Sequence, residues 1–158
     1  MKKITVTIAA LFALAAPMTS FAAMDHGSMQ GMDMSHGGHQ GDVAHEEVVA
    51  GVKATFKVMG MKEHMKGIKM ELPKGMKETH HIAVSFLDVK TGKALTEGDV
   101  VLKVQNPDKS VQAKDLVGMQ GHFGADFDLS KKGKYGVMSR FQLKGGKVHS
   151  SKFWYTVK

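Results

Sequence analysis

From Val48 onward, apolar and polar positions alternate. Val52, Ala54, Phe56 and Val58 share one parity, and Lys53, Thr55 and Lys57 take the other. A period of two predicts a strand with one buried face. The same alternation recurs in Ile68, Met70 and Leu72, then in Ile82, Val84 and Phe86, then in Val100, Leu102 and Val104. It returns in Phe123, Ala125, Phe127 and Leu129, in Tyr135, Val137, Phe141 and Leu143, and in Phe153, Tyr155 and Val157. Turn chemistry separates these runs at Lys90-Thr91-Gly92-Lys93, at Asn106-Pro107-Asp108 and at Lys132-Gly133-Lys134. Gly145-Gly146 between two alternating runs reads as a hairpin. No segment carries a long 3.6-residue period. The pattern therefore predicts an all-β fold, an immunoglobulin-like antiparallel β-sandwich of about seven strands over residues 47–158.

The chain ahead of this pattern is of two other kinds. Lys2 and Lys3 precede an uncharged apolar run, Ile4 to Ala16, followed by the small and polar stretch Pro17 to Ala23. That is the anatomy of a secretory signal peptide. The run is shorter than the roughly 20 residues a spanning helix needs. Ser20 and Ala22 fit the small-residue rule, so residues 1–22 are expected to be removed, with no stable membrane anchor after processing. Cleavage after Ala23 ranks second. Export implies the periplasm. Residues 23–46 are rich in Gly, Met and His and almost free of aliphatic residues, so they are expected to form a disordered tail.

Composition changes the picture by exclusion. The 22 Lys+Arg fall to 20 with the loss of Lys2 and Lys3, against 15 Asp+Glu, a net of +5. The lysines are scattered, and without a basic stripe no nucleic-acid partner is expected. The chain has no Cys, which removes thiolate zinc sites, Cys nucleophiles and blue-copper centres. No compact catalytic motif is seen, so an enzyme is not expected.

Methionine and histidine carry the candidate chemistry. The tail holds Met24, Met29, Met32 and Met34 with His26, His36, His39 and His45. Thioether sulfur is soft and selects Cu(I), while imidazole suits Cu(II), Ni and Zn. The mixture points to copper, with Cu(I) favoured and Cu(II) also accommodated. Cleavage after Ala23 would start the mature chain Met24-Asp25-His26, whose amine, amides and imidazole make a square-planar set; cleavage after Ala22 abolishes it. A second cluster is Met59, Met61, His64 and Met65, which by pattern falls in a loop between the first two strands. Met61, His64 and Met65 would share a face in a helical turn, as ligands or as packing; Met70 is expected to fill the core. The third group is His80-His81. His80 has core parity and His81 points outward. His122 is out of phase with Phe123 and Phe127, so it should face away from the core or sit in a loop.

These residues also carry a resemblance. Asp88 to Lys93 reads D-x-x-T-G-K, Gly118 to His122 reads Gly-Met-x-x-His, and Gly133 to Tyr135 opens the next strand as Gly-Lys-Tyr. In these features His80 to Lys158, about half the chain, resembles the YtkA-like periplasmic immunoglobulin-like domains. Met119 to Gly124 is also similar to the Met plus His-aromatic-Gly element of periplasmic iron- and copper-transport proteins built on the same sandwich. The resemblance implies copper binding by His and Met at one end of the sandwich, and so points to Met119 and His122 together with His80. The function expected is a periplasmic protein that buffers or delivers copper, with a periplasmic or membrane copper-handling protein as partner. The alternative is an immunoglobulin-like interaction module of a membrane transport or oxidase-assembly complex without its own tight metal site.

Overall fold

The structure, a computed structural model, describes residues 41–158. Ten strands and one short helix form over them. In chain order these are β1 (Asp42–Val49), β2 (Val52–Gly60), α1 (Met61–Gly67), β3 (His80–Asp88), β4 (Ala94–Leu95) and β5 (Gly98–Gln105). They continue with β6 (Val111–Asp115), β7 (Val117–Met119), β8 (His122–Phe127), β9 (Gly133–Leu143) and β10 (Val148–Val157). One sheet has the order β1-β2-β3-β8-β7, with β4 on β3; the other has the order β10-β9-β5-β6. Every pairing is antiparallel. The expected antiparallel β-sandwich is what forms.

The predicted parities supply the core. Ala54, Phe56 and Val58 meet Ile82, Val84 and Phe86 in one sheet, and Val100, Leu102, Val104, Val137 and Phe141 come from the other. Phe86 packs on Phe141 at 4.6 Å between ring centroids, across the two layers. Tyr135 is buried in the same core, and its Oη donates to the Lys131 carbonyl at 2.7 Å. The turns form for the anticipated reasons. The Asp88 carboxylate accepts the backbone N–H groups of Lys90 and Thr91, and Gly92 takes the left-handed conformation with φ 68°. The β9–β10 hairpin closes at Gly145-Gly146, over a four-residue loop from Lys144 to Lys147.

Three expectations are corrected. Ile68, Met70 and Leu72 are not a strand: the segment leaves the end of α1, Lys69 has φ 55°, and Pro73 follows. A strand there would need repeated extended dihedrals, and a proline that donates to no ladder bounds it. Met70 is accordingly 61% exposed and fills no core gap. Order begins earlier than residue 47, because β1 takes in Asp42 to Glu46, held by antiparallel pairing to β2. The signal-peptide residues 1–22 and the tail up to Gln40 lie outside the described residues. Among the described residues no helix is long and apolar enough to cross a membrane.

Candidate metal centre

The outward face of the first sheet is where the imidazoles gather. Strand parity sends Phe123 and Phe127 of β8 into the core, so His122, Gly124 and Asp126 face the other way. Register places Asp126 opposite His81 and Gly124 opposite Ala83 on β3, and places Met59 of β2 opposite His81. Such a face would meet water unless covered. Helix α1 covers it. Met61, His64 and Met65, at i, i+3 and i+4, turn one face down and are all buried. The Met61 N–H donates to the Thr79 carbonyl at 2.8 Å, which ties the start of α1 to the start of β3. His81 is thereby only 2% exposed, although it points away from the sandwich core.

The rings are close and ordered. His64 and His81 stack at 3.9 Å between centroids with an interplanar angle of 3°. His122 stands edge-on to His81 at 6.3 Å. His81 Nδ1 lies 2.6 Å from Asp126 Oδ1. That hydrogen bond is the main cause holding the Asp126 carboxyl below its ordinary range, with the charges of His81, His64 and Lys114 adding to it against the effect of burial. An ionised carboxylate only accepts, so Nδ1 carries the proton and the neutral ring has its lone pair on Nε2. Gly124 makes room for that edge of the ring: a Cβ there would lie 2.5 Å from His81 Nε2 and 2.7 Å from Cε1. Donor atoms of His64, His81 and Asp126 all lie within 4.8 Å of one another, close enough to serve one ion. Two imidazoles with a carboxylate, beside His122 and three buried thioethers, are a donor set that fits copper.

The sequence-predicted residues divide into groups. Met61, His64 and Met65 are drawn together on α1, and His122 lies beside them on β8. Met119 ends β7 opposite His122 and is exposed. His80 is set apart from the stacked rings; its Nδ1 lies 2.8 Å from Thr79 Oγ1, and burial pushes its pKa down. It does line a cavity of about 890 Å³ that reaches His64 and includes Gly41, Met59, Glu63 and Tyr155. His45 belongs to β1, where its ring stacks on Phe153 at 4.7 Å. Met24, His26, Met29, Met32, Met34, His36 and His39 lie outside the described residues. Sequence reasoning placed His81 in a candidate pair but pointed it outward and chose His80, met Gly124 only within the His-aromatic-Gly resemblance, and gave no role to Asp126. The alternating positions 122, 124 and 126 were the available signal, since they must share a face with any outward residue of the strand paired to them.

Solved structures supply the comparison. FetP from uropathogenic Escherichia coli strain F11, recombinantly expressed in the periplasm of Escherichia coli, superposes with a TM-score of 0.53 at 13% identity, covering 72% of this chain and 94% of that one. A copper-bound single-residue variant of FetP gives 0.57 at 12% identity over the same shares. A copper-bound variant of Campylobacter jejuni P19 gives 0.52 at 11% identity, covering 73% and 95%. This chain shares their sandwich fold. A Pseudomonas aeruginosa protein of the DUF4426 family has it too, with a TM-score of 0.54 at 14% identity over 72% and 93% of the two chains. No family model and no curated protein sequence matches the chain. The β-sandwich read from the sequence is therefore a fold shared with proteins whose structures were solved with copper bound.

Proposed function

We propose that this chain is a periplasmic copper-binding protein that buffers or hands on copper through Met and His ligands and catalyses no reaction. The observation that carries the reading is the His64–His81–Asp126 cluster, formed between α1 and the outward face of the first sheet. Copper is the cargo. His64 and His81 offer imidazole nitrogen, His122 a third imidazole on the same face, and Asp126 fixes the tautomer of His81. The thioethers of Met59, Met61 and Met65 suit Cu(I), and the imidazoles also accept Cu(II). The YtkA-like affiliation belongs to the same proposal, as do removal of residues 1–22 and ligands from the Met/His tail over residues 23–46. A shared fold with proteins crystallised in copper-bound form supports the reading.

The test is a copper titration against a competing chromogenic chelator. Replacing His64→Gln and His81→Gln together is expected to weaken binding by tenfold or more, about 1.4 kcal/mol or above. Unchanged affinity in the double variant would remove the domain site from the account.

A further inference from the structure

Among the described residues, Lys103, Lys134, Arg140, Lys152 and Trp154 are exposed on the outer face of the other sheet, and that face has a distinct composition. Trp154, the only tryptophan in the chain, sits there on β10 and is 50% exposed. Register places it opposite Gly136 on β9. A Cβ at Gly136 would lie 3.0 Å from the indole ring, so the glycine lets the ring lie flat against the strand. Two ammonium groups stand over the indole, Lys134 Nζ at 4.8 Å and Lys152 Nζ at 5.4 Å from its centroid. Lys152 is opposite Met138, which is opposite Lys103 on β5, and Arg140 lies one outward position further along β9. The acidic residues of the face, Asp99 and Asp115, lie toward the Val148 end, away from the indole.

We propose that this face, centred on Trp154 and flanked by Lys103, Lys134, Lys152 and Arg140, docks an acidic segment of a partner polypeptide. Charge complementarity selects the partner. Lys134 and Lys152 already stand over the ring, so less of their side-chain freedom is lost when carboxylates arrive. The indole supplies the wide, rigid apolar contact typical of interface anchors, beside the Lys and Arg that orient an acidic chain. A lipid surface fits less well, because the ring lies along the sheet and projects no apolar wedge into a bilayer. The histidine cluster is on the outer face of the opposite sheet, so docking here leaves it uncovered.

The sole tryptophan makes the test direct. A short fluorescein-labelled polyglutamate peptide is titrated into the full chain, and both label anisotropy and Trp154 emission are followed. The expected result is saturable binding with a coincident change in Trp154 emission, weakened steeply by added salt. Lys134→Glu with Lys152→Glu should weaken binding by about tenfold or more, while Lys90→Glu with Lys93→Glu, in the β3–β4 turn, should change it by less than about twofold. Equal loss in both pairs would mean that bulk charge alone is read, and would overturn the proposal. So would absence of peptide binding, binding that leaves Trp154 emission unmoved, or adsorption to phosphatidylglycerol vesicles without binding of the peptide.

Discussion

At the scale of single residues, the candidate centre depends on one side chain that is missing. Gly124 has no Cβ, and that absence lets His81 lie against β8 with Nδ1 on Asp126. No left-handed backbone is needed at Gly124, so alanine is compatible with the strand, and the collision falls on the imidazole alone. Gly124→Ala should therefore displace the ring, cost about 1–3 kcal/mol of stability by overpacking, and lower copper affinity by about 10- to 100-fold, as loss of an orienting partner does. Chelator competition reports the affinity, the His81 imidazole signals in NMR report the ring position, and urea unfolding reports the stability. Displaced ring signals together with wild-type affinity would show that His81 is not where the metal goes.

At the scale of elements, α1 turns an outward strand face into a buried one. Leucine matches methionine in volume, so Met61→Leu with Met65→Leu should change stability by less than about 1.5 kcal/mol. Without the thioethers, Cu(I) affinity should fall while Cu(II) affinity, held by imidazole, changes little; equal losses for both ions would count against a thioether role. The core side makes a separate prediction at Tyr135. Burial raises its pKa above the ordinary value of about 10. The folded state thus holds that proton more tightly than the unfolded state, so the stabilisation is complete below about pH 10 and is lost as pH rises through the folded value. Tyr135→Phe should cost about 1 kcal/mol at neutral pH by removing the bond to the Lys131 carbonyl, and should flatten the alkaline fall of stability measured by urea unfolding. Six of the predicted strands were legible because alternation records which face is buried, as in Val52 to Val58 or Ile82 to Phe86. Alternation is blind to what covers the opposite face. His81 consequently read as solvent-facing, and α1, only seven residues long, showed only one turn of helical spacing in Met61, His64 and Met65, too short to tell ligands from packing. Ile68, Met70 and Leu72 alternate without pairing, since a period of two describes side-chain parity and says nothing of a partner strand.

At the scale of the whole molecule, the two sheets present different chemistry outward: stacked imidazoles under a helix on one, and an indole among lysines on the other. Ahead of both lies a Met- and His-rich stretch, so copper has two candidate homes, the sandwich and the tail. The central claim is that the sandwich binds copper by itself. The measurement that tests it most directly is X-ray absorption at the copper edge on the copper-loaded full chain in which Met24, Met29, Met32 and Met34 are leucine and His26, His36 and His39 are glutamine. The account predicts that copper is retained, with imidazole scattering that disappears when His64 and His81 are also replaced by glutamine. Loss of all copper on changing the tail alone would contradict it.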